Sequence, residues 1–244
     1  MIDAKTQKSK ETTQDAIYRR IRQSLLTGQA SPGETLSIRR LVERFDVSAT
    51  PVRDALSRLE AEFVLVRGPN RVLMIPNLSV GELKDIHRLR AAIEGLSAEL
   101  AADRATSDEI KEVSDLCDAM DAALAKGDAD TYLTLNWAFH RSIYKAAHSD
   151  VALHVIENLW LRSGPYLRLP VLIDAAEQPS QSRQRSMQFH RACLAALQTG
   201  DADAARDAIQ SDIAAASDEL FQYMKAAHAA EVDNWVPDLR IPSK

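Results

Sequence analysis

Residues 47–59 constrain this chain more than any other stretch: Val47-Ser48-Ala49-Thr50-Pro51-Val52-Arg53-Asp54-Ala55-Leu56-Ser57-Arg58-Leu59. Ser48 or Thr50 suits the start of a helix, because a hydroxyl oxygen accepts from the unpaired N–H groups of a first turn. Pro51 fits that turn, where its missing N–H costs nothing. Val52, Ala55, Leu56 and Leu59 recur at helical spacing and form one apolar stripe. Arg53 lies off the stripe, one turn in. Thr50 and Arg53 therefore address together whatever the helix end approaches.

Upstream runs a shorter amphipathic segment, Leu36 to Phe45, and only Asp46-Val47-Ser48 separates the two. Two helices joined so tightly, the second opening with hydroxyl and guanidinium groups, form the helix-turn-helix pattern. Spacing alone leaves a plain helical hairpin with solvated arginines open as well.

The rest of the chain reads as helices with one small β element. Residues 13–28 form a first amphipathic helix through Ile17, Ile21 and Leu25, stopped by Gly28. Pro32-Gly33 turns the chain and Thr35-Leu36 suits a short strand. Val64–Arg67 and Arg71–Ile75 read as two strands around Gly68-Pro69-Asn70. Pro76-Asn77-Leu78 is a linker short enough to couple what lies on either side. Ser79 with Glu82 makes a capping box. Helical pattern follows over 79–103, 107–126, 128–147, 150–163, 182–199 and 201–229, with Asp108, Asp128, Asp150 and Asp201 near helix starts. Residues 164–181 contain Gly164, Pro165, Pro170 and Pro179 and read as a loop or broken helix. The expected fold is mainly α: a loose tail over 1–12, a winged helix-turn-helix domain over 13–76, an all-α bundle over 79–229 and a polar tail over 230–244.

The net charge of −5 argues against a polyanion-binding protein until its distribution is considered. Residues 1–78 carry 13 Lys+Arg against 9 Asp+Glu, and the remainder 17 against 26. A basic front and an acidic back suit a chain of which only one part meets phosphate. No apolar run approaches membrane-spanning length, and the first residues lack an apolar signal core. Cys117 and Cys193 sit in helical patterns and read as reduced core residues, which fits a cytoplasmic protein.

Residues 15–75 resemble the winged helix-turn-helix domain of GntR-family bacterial transcription regulators. The resemblance rests on Ile17…Ile21-Arg22…Leu25…Gly28, Pro32-Gly33-Glu34-Thr35-Leu36, Leu41, Val47-Ser48, and Thr50-Pro51-Val52-Arg53-Asp54-Ala55-Leu56…Leu59-Glu60. It implies that Arg39, Ser48, Thr50 and Arg53 contact double-stranded operator DNA, with Arg71 as the contact from the wing. Ala49 departs from the pattern, standing where the family usually has a major-groove arginine; such a residue is worth about 1–3 kcal/mol of base discrimination. Ile38 stands where an acid is common. Phe63 and Val72 replace two usual glycines, so a wing of altered shape is expected.

In the helical half, Asn136 and His140 are four residues apart and share a helix face. His190 and Asp212 lie on later helices. Imidazoles with oxygen donors suit a divalent metal, although a histidine in a bundle is more often a hydrogen-bonded core residue. Residues 79–222 resemble the FCD ligand-binding domain of the FadR branch of GntR regulators, through Arg90 with Glu94, Asn136-Trp137-Ala138-Phe139-His140, Phe189-His190-Arg191 and Gly200-Asp201-Ala202. Many members hold a metal with one aspartate and three histidines. Here His140 and His190 match two histidines, Asn136 replaces the aspartate and Asp212 the last histidine. The resemblance implies a site for zinc, manganese or nickel formed by Asn136, His140, His190 and Asp212, or alternatively a metal-free pocket that binds an effector such as acyl-CoA directly. Arg90 and Arg162 are the candidates to receive a small carboxylate effector. The chain is thus expected to be a homodimeric, effector-controlled DNA-binding regulator, a repressor rather than an enzyme. The enzymatic alternative is a metal-dependent hydrolase, and no extra general base accompanies its metal residues.

Overall fold

The apolar stripes read from the sequence become the buried faces of nine α-helices and a two-stranded sheet among the described residues. The computed structural model describes residues 12–174 and 181–230. They divide into two compact units, one drawn from residues 12–24 and 33–76, the other from residues 25–32, 77–174 and 181–230. The second unit takes in residues 25–32, which sequence periodicity groups with the first.

The first unit holds all of α1 (Thr13–Leu26) but its last two residues, then α2 (Ile38–Phe45), α3 (Ala49–Ala61), β1 (Val66–Arg67) and β2 (Leu73–Met74). The four apolar positions of α3 are all buried, together with Ile17, Tyr18, Ile21 and Leu41. Asp46 ends α2 in the left-handed conformation, and its amide bonds Val42 O. That lets the chain reverse within Asp46-Val47-Ser48. The strands pair antiparallel, Val66 with Met74 and Arg67 with Leu73, and Thr35 bridges to Met74.

The strands are shorter than the alternation predicts. Val64 and Leu65 are buried, and their amides close the end of α3 on Leu59 O rather than joining a ladder. Arg71 belongs to the turn between the strands, a single 3-10 turn over Pro69–Arg71. Asn70 and Arg71 there have φ of 57° and 59°. The left-handed positions of the wing thus fall before Val72 rather than on it. Phe63 does adopt φ 57° directly after α3, and its ring is 75% exposed.

The second unit is a bundle of α4 (Val80–Arg104), α5 (Ser107–Ala125), α6 (Ala129–Ala146), α7 (Asp150–Asp174), α8 (Gln181–Thr199) and α9 (Ala202–Ala230). Ser79 and Glu82 form the capping box of α4, Thr106 and Glu109 form one on α5, and Asp128 caps α6. α4 packs along α9 and against α6 and α7, while α8 lies on α9.

Helix α7 corrects one expectation. It does not stop at residue 163 but runs through Gly164, Pro165 and Pro170 to Asp174. A proline inside a helix costs about 3 kcal/mol, so packing must offset it. Ser163, Gly164, Pro165 and Tyr166 are all buried, and the Tyr166 hydroxyl accepts the Leu78 amide at 2.5 Å. Within this unit the backbone of Leu25 lies so close to Gly164 that an added Cβ would sit 2.2 Å from Leu25 O. Gly164 therefore serves close backbone approach, not a helix stop. Pro179 and the tail beyond Ala230 lie outside the described residues.

Candidate functional site

The first unit sorts its arginines into two groups. Arg58 stacks its guanidinium 3.8 Å from the Tyr18 ring centre and pairs with Glu62 at 3.2 Å and Asp15 at 3.7 Å. Arg22 donates to the Tyr18 hydroxyl, which itself donates to Glu62. Arg67 pairs with Glu60 at 2.6 Å. These side chains fasten α1, α3 and β1 together. Arg40, Arg44, Arg53 and Arg71 are exposed, and their side chains have no hydrogen bond or ion pair among the described residues. Arg39 stands between the groups, 88% exposed with an i,i+4 partner in Glu43. Spacing alone could not separate the groups, because partners such as Tyr18 and Glu62 are 44 residues apart. Arg40 and Arg44 were missed for that reason.

Ser48 is the N-cap residue of α3, in extended conformation, yet its side chain makes no capping hydrogen bond. Thr50 and Arg53 follow on the exposed side of the first turns. Ala49 and Thr50 present amides that no preceding turn can satisfy. The predicted DNA contacts on α3 thus share one exposed helix end, while Arg39 lies on α2 and Arg71 in the wing.

In the second unit α6, α8 and α9 bring His140, His190 and Asp212 together in the interior. Asp212 Oδ2 lies 3.3 Å from His140 Nε2 and 3.4 Å from His190 Nε2. Both ring nitrogens of His190 and Asp212 Oδ1 are buried with no hydrogen-bond partner among the described residues. Orphaned donors of this kind, in a mixed imidazole–carboxylate set, fit a divalent cation. Donor atoms sharing one ion at bonds of about 2.0–2.1 Å would be separated by about 3.3 Å if tetrahedral, close to what is found. Burial lowers the pKa of His140, and Asp212 only partly counters this. Burial also acts to raise that of Asp212, but the two imidazoles outweigh it and hold the carboxylate well below its usual range. A neutral imidazole at His140 beside an ionised Asp212 is the protonation state that metal ligation needs.

The orientation of His140 is set from behind. Its Nδ1 lies 3.0 Å from the Tyr144 hydroxyl, which donates to Glu94 Oε2. Glu94 in turn binds Arg90, whose guanidinium lies 4.1 Å from the Trp160 ring centre. With the phenol hydrogen committed to Glu94, His140 Nδ1 must donate, leaving Nε2 with its lone pair toward Asp212.

Arg90, Asn136, His140 and Asp212 line a partly open pocket, and His87, Arg183, Ser186 and Glu219 are among its other polar lining residues. Asn136 sits one turn before His140, half-buried and without a hydrogen bond among the described residues. The fork of Arg90 already grips Glu94, Nε to Oε1 at 2.6 Å and Nη2 to Oε2 at 3.4 Å. Arg162 is not among the cavity's lining residues. Its charge helps depress the pKa of Glu82 at the start of α4, after the hydrogen bonds from Ser79. His87, Arg183 and Tyr144 were not read as site residues; His87 and Tyr144 take their roles from partners on other helices, Ser217 and Glu94, although Tyr144 stands one turn after His140.

Residues 13–73 match the family model described as bacterial regulatory proteins, gntR family, and residues 85–215 match the FCD domain. The HTH-type transcriptional regulator McbR of Escherichia coli is 30% identical over 186 residues, 76% of this chain and 82% of its own length. The gluconate operon transcriptional repressor of Bacillus licheniformis is 24% identical over 196 residues, 80% of this chain and 79% of its own. The solved structure of E. coli McbR/YncC superposes with a TM-score of 0.81 at 26% identity, covering 88% of this chain and all of that one. Family and relatives are transcriptional regulators rather than enzymes, which removes the hydrolase alternative. No helix among the described residues is long and apolar enough to cross a membrane. The chain belongs to the GntR family of bacterial regulatory proteins, with its gntR segment followed by an FCD domain.

Proposed function

We propose that this protein is a cytoplasmic, homodimeric transcriptional repressor whose grip on double-stranded operator DNA is set by a small carboxylate bound in the FCD domain. The observation that carries the DNA-binding reading is the exposed end of α3, where the side chains of Ser48, Thr50 and Arg53 have no hydrogen-bond or ion-pair partner among the described residues. Hydroxyls, open amides and a guanidinium at a helix end suit phosphate and base edges. Arg39 and Arg71 extend that contact from α2 and the wing. A dimer follows from the two-fold symmetry of the half-sites that such domains read.

For the sensing half, His140, His190 and Asp212 hold a divalent metal, zinc, manganese or nickel, with Asn136 beside them as a weak oxygen donor. A bound metal would supply a Lewis-acidic position for a carboxylate oxygen. The lining favours this over direct capture of an anion. Its formal charges include Asp212 and Glu219 as well as Arg90 and Arg183, and the charge of Arg90 is already answered by Glu94. Without a cation the wall has little net attraction for a carboxylate.

The test is fluorescence anisotropy of the full-length protein with DNA from upstream of its own gene, across a salt series. Specific binding whose logarithm falls linearly with log salt is the expected result. Binding that ignores sequence overturns the operator reading. Metal content after mild purification, with melting temperature before and after chelation, tests the sensing half.

A further inference from the structure

We propose that His87 makes the cavity selective for carboxylates that also carry a hydroxyl or amino group, by presenting a bare ring nitrogen to that group's hydrogen. The inference rests on the effector reading above and names its ligand class more closely.

The argument follows one proton. His87 on α4 is buried, lines the cavity, and has its Nδ1 2.6 Å from the Ser217 hydroxyl on α9. That hydroxyl has a single hydrogen, and it goes to Ile213 O at 2.7 Å, one turn back along the same helix. Toward His87 the Ser217 oxygen can then act only as acceptor. The imidazole hydrogen therefore sits on Nδ1, and Nε2 is left as an acceptor. Nε2 has no hydrogen bond among the described residues. The ring stays neutral, because burial and the charge of Arg90 push its pKa down to about 3.

An acceptor held in one tautomer on a buried ring is a filter. A ligand that supplies a hydrogen satisfies it, and one that brings a methylene in its place strips Nε2 of water without replacing the bond. Metal and cavity wall would receive the carboxylate; His87 would read the substituent.

The test is isothermal titration of full-length protein, loaded in turn with zinc and with manganese. The probes are matched acids: malate with succinate, 2-hydroxyglutarate and glutamate with glutarate, and lactate with propionate. In at least one pair the substituted acid should bind wild type about tenfold or more tighter, since a lost polar contact in a closed site costs at least that. His87→Phe should reduce the preference to within about threefold while leaving the unsubstituted acid's Kd nearly unchanged. If that variant does not fold, Ser217→Ala takes its place. It frees the tautomer and should narrow the same preference. Equal binding of both members by wild type overturns the role of His87 and leaves the carboxylate reading intact. A preference that survives in the variants also overturns it. Failure of every acid to bind overturns the carboxylate reading and this inference with it.

Discussion

The phenol of Tyr144 donates its hydrogen to Glu94 Oε2 at 2.5 Å, and both side chains are fully buried. Burial first, and the Glu94 charge second, raise the Tyr144 pKa well above its ordinary value. The phenol therefore keeps its hydrogen, and the direction of every bond from Arg90 to His140 follows. The cavity arginine and the candidate metal ligand are joined by one chain of hydrogen bonds.

Tyr144→Phe breaks that chain at its centre. The zinc affinity of the protein should fall about 10–100-fold, the usual effect of losing the partner that orients a ligating histidine. Competition with a chromogenic chelator measures it. An unchanged affinity would show that His140 is oriented without Tyr144.

The two groups of arginines should separate experimentally. Arg53→Ala should leave the melting temperature almost unchanged, as exposed substitutions shift stability by about 0.5 kcal/mol or less. It should abolish specific operator binding. Arg71→Ala and Arg40→Ala should weaken binding across sequences and lower the salt slope by about one unit each. Arg58→Ala, which loses Tyr18, Asp15 and Glu62 together, should instead destabilise the first unit by about 1 kcal/mol or more. Anisotropy titrations paired with thermal unfolding distinguish the outcomes.

Phe63 holds a left-handed backbone with its ring in water. The conformation costs an L-residue about 1–2 kcal/mol. Phe63→Gly relieves that cost and should match or exceed wild-type stability. Phe63→Val, β-branched, should be less stable than wild type. Urea unfolding of the three proteins checks the order, and a Gly variant much less stable than wild type would contradict it.

His87 should make the protein acid-sensitive. Its pKa falls from 6.5 to about 3 on folding, so between those values the unfolded chain binds the extra proton. Its contribution is therefore complete above about pH 6.5 and is lost as pH falls toward 3. Between pH 7 and 5 the wild type should lose about 2 kcal/mol more stability than His87→Phe, at about 1.4 kcal/mol per pH unit. Denaturant unfolding in the presence of a chelator gives the comparison, and parallel pH profiles would count against a neutral buried His87.

Local signals carried much of the architecture. The stripe Val52-Ala55-Leu56-Leu59 and the capping pair Ser79–Glu82 are written within a few residues, and the structure places both as read. Residues 164–174 were not legible. Glycine and proline there look like a stop, and only the approach of Leu25, far away in sequence, explains Gly164. The same limit governed the site. Asn136 and His140 share a helix face by i,i+4 spacing, while the grouping with His190 and Asp212, and the pair Arg90 with Glu94, were reached through the family resemblance. Tyr144 with Glu94 and His87 with Ser217 join positions 50 and 130 residues apart, with no local pattern to mark them. Arg162 was chosen for its charge alone, and its charge is felt at Glu82 instead.

Ser48 occupies the cap of α3 without capping it. A protein that closed this helix with its own hydroxyl would have to undo that bond before meeting a duplex. Here nothing has to be undone, and a phosphate oxygen can finish the turn. The operator would then act as the last piece of the helix, and amide exchange at residues 49 and 50 should slow when DNA binds, even with the rest of the unit unchanged.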